Sequence, residues 1–380
     1  MLKSEWKTTI ALTSAILIPL SLLADTSITA TSSSYLAGEK VKKGQLPAGY
    51  NESASYECQN PWKLDLTGDY IYWAWQQAMM EVGTLSQPTA PGTAGLFNGV
   101  QDVIFQTPGY QSGFQLGLGC VLRGMDDWSL TAEYTWYKNT DSLHSVATGL
   151  EVIVVSPSVV RHVEGSTPGT LLSRNLTTTA ELNYNCVDLV LQRPFYFGKK
   201  LTANFVAAVE ALWISQKFTG TGGDLSFLGS DALVAAVVSG SFNSVAYQKS
   251  WGLGPKFGFD SHWLLGGGVK IMSRVSLSAL YTSYVKLSST LTGAVSNINI
   301  ASLEINQTDN YDTINPIGEA FLGLGWGTYF CNNNFHLDLS AGYDFKVYWS
   351  QNVLGSLVNS NGSPGDMSLR GLNIQVRFDF

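Results

Sequence analysis

Gly371 to Phe380 reads Gly-Leu-Asn-Ile-Gln-Val-Arg-Phe-Asp-Phe. Successive side chains of a strand point to opposite faces. Leu372, Ile374, Val376, Phe378 and Phe380 therefore share one side, and Gly371, Asn373, Gln375, Arg377 and Asp379 the other. One side is apolar and the other wet. Termini of soluble domains are usually frayed and polar, whereas this stretch carries its alternation to a closing aromatic. The pattern suits a strand with lipid on one side and a polar lumen on the other, in a sheet closed so that no edge stays unpaired. It predicts an all-β chain forming a single antiparallel transmembrane β-barrel.

Composition points the same way. The 380 residues are 45% hydrophobic but only 13% charged, against about 25% charged in soluble domains. The 38 Gly, 11 Trp, 17 Tyr and 17 Phe suit close backbone approaches and interfacial rings. Beyond the N-terminus no apolar run reaches the length of a membrane helix, which excludes a helical membrane protein. A net charge of -7 and a pI near 5.1 argue against a nucleic-acid partner.

Residues 1–24 read as a secretory signal, with Lys3 and Lys7 ahead of an apolar core from Ile10 to Leu23. Cleavage after Ala24 or as late as Ala30 fits. Residues 25–60, rich in Ser, Thr, Gly and Lys and without periodicity, read as a flexible periplasmic lead-in, and 61–380 as the barrel. Export brings Cys58, Cys120, Cys186 and Cys331 into an oxidising compartment, and their spacing matches no zinc or haem motif. Disulfides and buried or lipid-facing thiols are both open. Cys58 and Cys331 share the periplasmic rim and form the candidate bridge, provided their Cα atoms approach within about 7 Å.

Alternating runs recur along the chain. In the first, Leu64, Leu66, Tyr70 and Tyr72 oppose Lys63, Asp65, Thr67 and Asp69, and the run ends near Trp75. Phe114 to Leu122 and Trp128 to Trp136 flank a tight turn at Gly124 to Asp127. Leu182 to Arg193 turns through Pro194–Lys199 into Leu201 to Trp213. Further runs are Trp251 to Phe259, Val275 to Tyr281 and Ala320 to Trp326. A turn at Cys331–Asn334 then leads to Phe335 to Trp349. Long Gly-, Ser- and Thr-rich segments separate alternate pairs, notably 76–109, 139–179, 215–246, 287–315 and 351–366, while 261–272 reads as an inner turn.

Short turns on one side and long loops on the other are the asymmetry of outer-membrane barrels. The count is about ten strands, with twelve as the alternative. Aromatics at strand ends give two girdles: Trp128, Phe259, Phe335 and Phe380 at the inner end, and Trp136, Trp213, Tyr284 and Trp349 at the outer.

HExxH, GxSxG, Walker and CxxC motifs are missing from the sequence, so no enzyme, cofactor or metal is expected. Gly117, Gly119, Gly323, Gly325 and Gly327 lie within strands, where glycine relieves crowding in a small lumen. His336 and His262 fall at the inner end. His144 and His162, near Asp141 and Glu164, would need a second positioned carboxylate to work as general acid and base, and the bland reading is exposed loop histidines.

The inward polar set is Lys63, Asp65, Asp69, Glu133, Asp188, Glu210, Lys256, Glu319, Asp338, Asp344, Lys346, Arg377 and Asp379. A net acidic lining favours cations. The competing reading is that these charges pair across a narrow lumen and lock it. About eight strands leave a filled interior and 16 to 18 an open channel, so ten predict a narrow pore at most.

Gly252-Leu-Gly-Pro-Lys-Phe-Gly258, with Trp263-Leu-Leu-Gly266 and Ser278-Ala-Leu-Tyr281, resembles a block of the Legionella-type major outer membrane protein family, pore-forming barrels also found in chlamydia-like bacteria. Gly68-Asp-Tyr-Ile-Tyr-Trp73 is similar to that family's first strand. The resemblance implies a pore-forming protein of a Gram-negative outer membrane. Its expected partners are outer-membrane lipid, the outer-membrane assembly machinery and small hydrophilic solutes or ions. The alternative is a structural or adhesive surface barrel acting through its loops, and a third reading is a barrel hydrolase. One loop segment stands out: Ala232 to Val238 is seven consecutive apolar residues, read as folding into the lumen mouth in preference to an extra strand or a sticky surface patch.

Overall fold

A computed structural model gives the structure of the chain. It describes residues 53–56, 58, 63–78, 80–86, 102–122, 128–148, 151–155, 170–224, 226–228, 236–237, 240–295, 298–306, 309–354 and 364–380.

The strands are β1 (Leu64–Gln77), β2 (Glu81–Ser86), β3 (Asp102–Phe105), β4 (Gln111–Val121), β5 (Ser129–Val146) and β6 (Val152–Val155). They continue as β7 (Thr170–Ser173), β8 (Asn175–Tyr196), β9 (Leu201–Gly223), β10 (Ser226–Leu228), β11 (Ala236–Val237) and β12 (Gly240–Gly266). The last are β13 (Val269–Val295), β14 (Ile298–Asn306), β15 (Tyr311–Phe330), β16 (Phe335–Asn352) and β17 (Gly365–Asp379).

Ten of these close into an antiparallel barrel in the order β1-β4-β5-β8-β9-β12-β13-β15-β16-β17, with β17 returning to β1. All ten expected runs are present, the alternative of twelve is not realised, and the even number is that of bacterial barrels. The closing strand pairs from Asp379 opposite Asp65 to Met367 opposite Gln77. A second sheet, ordered β11-β10-β7-β6-β2-β3, is built from the segments between barrel strands on the long-loop side.

The strands are longer than the sequence reading gave them. Stretches read as loop at 139–146, 175–179, 215–223, 240–246 and 287–295 continue the barrel, and the inner turn read at 261–272 shrinks to Gly266–Gly268, where all three glycines have positive φ. The reason is visible along β8. Toward the inner end Val187 and Leu189 are exposed on the outer wall and Asp188 is buried in the lumen. Beyond Asn185 the chemistry inverts, so that Tyr184, Leu182 and Ala180 are buried inside while Asn183 and Glu181 face outward. In β9, Phe205, Val209 and Trp213 face out, and past Trp213 it is Ile214 and Phe218 that are buried inside. The register never slips through either change. The lower barrel is dressed for lipid and the upper barrel for water.

The lipid belt is correspondingly apolar. Phe257, Leu277 and Leu322 are 61–64% exposed on its outer surface, which is stable against hydrocarbon and costly against water. Tyr284 departs from the expected outer girdle. It is fully buried in the lumen, where its hydroxyl donates to the Gln351 carbonyl at 3.1 Å. It shares the inward parity of Ser276, Ser278 and Leu280 on β13.

Candidate functional site: the charged lumen

The lower lumen encloses a cavity of about 180 Å³, and its walls carry three tiers of charge. At the inner rim, β17 supplies Arg377 and Asp379, β16 His336 and Asp338, β1 Asp65, and β13 Lys270. Arg377 Nη2 lies 2.7 Å from Asp379 Oδ1 and 3.7 Å from Asp65 Oδ1, and His336 Nδ1 is 2.9 Å from Asp379 Oδ2. Lys270 Nζ forms an ion pair with Asp338. In the next tier Arg274 Nε meets Asp260 Oδ1 at 3.3 Å. Asn373 donates to Asp344 at 3.0 Å and to Asp69 at 3.3 Å.

The deepest tier centres on Lys256 of β12. Its ammonium lies 2.9 Å from Glu319, 3.3 Å from Asp188 and 3.6 Å from Glu210. Glu319 in turn meets Lys346 at 3.3 Å. Taking an isolated charge out of water costs several kcal/mol, so buried charges persist when paired and hydrogen-bonded. Here one cation bridges three strands. Cys186, Asp188 and Glu210 bring donor atoms within 4.8 Å of one another in a way that could hold a metal, but the Lys256 ammonium already supplies the positive charge at both carboxylates.

Above this tier the lumen is filled. Lys346 Nζ stands 5.3 Å from the Trp73 ring centre. Ile71, Trp73, Tyr137, Leu182, Tyr184, Ile214, Leu280, Tyr348 and Leu369, from seven strands around the ring, are buried in one apolar cluster. The Tyr348 hydroxyl donates to that of Tyr184 at 2.8 Å.

Below, the inner mouth is covered. Tyr56 donates to Asp338 at 2.8 Å, accepts from Lys270 at 2.7 Å and stacks on His336 with ring centres 3.9 Å apart. Burial first, and then the Asp338 carboxylate, push its phenol well above the ordinary range. Ala54 N donates to the Pro194 carbonyl, and Ser53 bridges Phe195. Of the expected flexible lead-in only Ser53–Tyr56 and Cys58 are described, and these five are held in the barrel mouth, whereas residues 1–52, with the expected signal, lie outside the described residues.

Of the expected lining residues, Lys63, Asp65, Glu133, Asp188, Lys256, Glu319, Asp338, Asp344, Lys346, Arg377 and Asp379 border the cavity. Asp69 and Glu210 are buried in the wall, bonded to Asn373 and Gln375 and to Ser278 respectively. Lys270, Arg274 and Tyr56 were missed, and His262 lines the cavity where a turn was expected. Parity on β13 would have found the first two, since both share the inward side of Ser276. Gly325 has the expected role, because a Cβ there would stand 2.8 Å from Met272 Sδ and 2.9 Å from Lys270 Cε.

The candidate Cys58–Cys331 bridge is not formed, and all four cysteines are free. Cys58 points to the Asp379 carbonyl at 3.7 Å inside the mouth, while Cys331 is exposed in the turn before β16. Burial raises the Cys58 thiol. His144 bonds to Thr177 at 2.8 Å and Asp141 accepts from Gln106 at 2.7 Å. His162, Glu164 and the apolar run from Ala232 lie outside the described residues, except that Ala236–Val237 form β11.

A closed ten-stranded barrel with an apolar outer belt and a charged interior defines a transmembrane β-barrel of the outer-membrane class. Residues 56–380 match the family of the Legionella pneumophila major outer membrane protein precursor, and the chain belongs to that family. It is a protein of the Gram-negative outer membrane. No curated protein matches it. Solved structures similar to it include the outer membrane protease OmpT from Escherichia coli, at 6% identity, 86% of this chain, 99% of that chain and a TM-score of 0.32. Others are a Pseudomonas aeruginosa FadL homologue, at 10% identity, 84% and 90% coverage and a TM-score of 0.27, and the Pseudomonas putida toluene transporter TodX, at 8%, 87%, 95% and 0.19.

Proposed function

We propose that the barrel is a narrow, gated passage for small hydrophilic solutes or ions, favouring cations, and that it catalyses no reaction. The observation carrying this reading is the charged cavity at the level of the lipid belt. A barrel serving only as a wall could fill that space with apolar side chains, as the upper lumen does. Acidic groups outnumber basic ones around the cavity, and such a lining favours cations. The ion pairs narrow the route, and the Tyr184–Tyr348 layer closes it above.

Val82 of β2 and Ile153 and Val155 of β6 are buried in the same cluster, so opening combines rotamer changes at Tyr184 and Tyr348 with movement of the second sheet. In this reading the surrounding lipid, the passing solutes and the assembly machinery that receives the closing strand are the partners.

Planar-bilayer recording of the refolded protein in a salt gradient tests it. Small cation-selective steps that enlarge in Tyr348→Ala support the passage. A silent membrane for both proteins overturns it. A surface-attachment role is the second reading, favoured by the six-stranded outer sheet, whose Val103 and Phe105 are exposed. Loss of attachment on removing β2 and β3, with bilayers silent, would establish it.

A further inference from the structure

On the outer wall, Lys249 of β12 and Lys286 of β13 are direct partners across the strand pair, and both are exposed. Like charges placed opposite one another on neighbouring strands are destabilising. Among the described residues neither ammonium meets a carboxylate. Lys286 Nζ instead lies 5.2 Å from the centre of the Tyr247 ring. A third cation stands alongside: Lys217 of β9 is in register with Tyr247 and is only partly balanced by Glu181 at 3.5 Å. The Tyr247 hydroxyl accepts from Ser215 at 3.1 Å, which fixes the ring between the lysines.

Their height on the wall is set by the residues beneath. Trp213 and Trp251 are register partners and both are exposed, with Leu253 and Phe257 continuing the lipid face below. Tryptophan pairs of this kind sit where hydrocarbon gives way to headgroups. The same point on β9 is where outward chemistry changes from apolar to polar, with Ser215 and Lys217 following Trp213. The lysines are therefore at the headgroup level of the leaflet on the long-loop side, which is the outer one.

We propose that Lys249 and Lys286, with Lys217 and Tyr247, form a binding site for the phosphate of an outer-leaflet glycolipid. The phosphate neutralises the facing ammonium groups, and the lipid's apolar part lies against Trp213 and Trp251. Free phosphate would make no use of that aromatic floor.

The test is lipid retention by the full-length refolded barrel, read by native mass spectrometry. The probes are a bisphosphorylated glycolipid, its dephosphorylated counterpart and inorganic phosphate. The wild type is expected to retain the first and release the second, with inorganic phosphate failing to compete at equal concentration. Lys249→Gln with Lys286→Gln should weaken retention on the order of thirtyfold, from the attraction that each of the two lysines gives to an anionic surface. Lys249→Arg with Lys286→Arg should keep it, since guanidinium also binds phosphate. Lys199→Gln with Lys200→Gln, at the opposite end of the barrel, should change nothing.

Heat-modifiable gel mobility shows which variants are folded, and the arginine pair carries the test if the glutamine pair is not. Equal retention of the dephosphorylated lipid, wild-type retention in a folded glutamine pair, or loss in a folded arginine pair overturns the proposal. Efficient competition by inorganic phosphate would make the site one for free anions and overturn the lipid assignment.

Discussion

The hydroxyls of Tyr184 and Tyr348 meet at 2.8 Å although their strands, β8 and β16, are five steps apart in either direction around the ten-stranded ring. The two side chains reach across the full width of the lumen. Trp73 and Tyr137 fill the space beside them, with the Tyr137 hydroxyl donating to the Trp73 carbonyl at 2.6 Å.

Tyr348→Ala should therefore open the lumen and raise single-channel conductance, at a stability cost of about 3–5 kcal/mol for the lost ring. Tyr348→Phe keeps the shape and should cost about 1 kcal/mol for the lost hydrogen bond, with conductance unchanged. Single-channel recording beside urea unfolding in detergent separates the two effects. Equal conductance in all three proteins would place the constriction elsewhere.

Lys256 is surrounded by Glu319, Asp188 and Glu210. Lys256→Met should destabilise the barrel by about 3–5 kcal/mol, because removing one partner leaves buried carboxylates uncompensated. Adding Glu210→Gln to Lys256→Met should recover part of that loss. The measurement is the temperature at which the heat-modifiable gel band converts. A wild-type conversion temperature in the single variant would show that the carboxylates find other partners.

These sites show what the sequence could and could not display. Where one wall faces lipid and the other a charged lumen, apolar and polar side chains alternate strictly. That is why β16 could be read from Phe335 to Trp349 and β17 to its last residue. Past Trp213 on β9 the backbone keeps its register while the apolar side moves inward, to Ile214 and Phe218. The hydrophobic pattern then shifts phase by one residue and resembles the end of a strand. Tyr56 had no signal at all, because one aromatic in an aperiodic segment gives no hint that His336 and Asp338, 280 or more residues away, will hold it. The charged lining was legible from parity, but its pairing was not, since cross-lumen contacts depend on strand order as well as on face.

The four thiols should differ sharply in reactivity. An aqueous, membrane-impermeant maleimide should modify Cys331, exposed in its turn, within the first minutes, and reach Cys186, buried beside Asp188 and Glu210, only after unfolding. Cys58 should be slow, since burial depletes its thiolate, the nucleophilic form, and faster in Tyr56→Ala, which uncovers the mouth. Mass spectrometry of the alkylated peptides reads all four. A shift in gel mobility on adding reductant would instead show a bridge in the native protein.

Phe380 closes the seam of the barrel. Its amide donates to the Leu64 carbonyl at 2.9 Å, and its own carbonyl accepts from the Leu64 amide at 2.8 Å. Its ring lies 5.8 Å from that of Phe378, which stacks on Phe335 at 5.6 Å, so the last rung of the sheet coincides with an aromatic cluster at the inner edge of the belt. Phe380→Asp leaves the backbone rung available but removes the anchor and sets a carboxylate beside lipid. At the interface that charge costs only about 0–1 kcal/mol. The larger effect is therefore expected during assembly, when the terminal strand must reach the membrane before it pairs with β1. The folded, heat-modifiable fraction in outer membranes should fall several-fold for Phe380→Asp and stay near wild type for Phe380→Tyr, while the aspartate protein that does fold should melt close to the wild-type temperature. Normal membrane levels of Phe380→Asp would show that pairing with β1 alone brings the closing strand in.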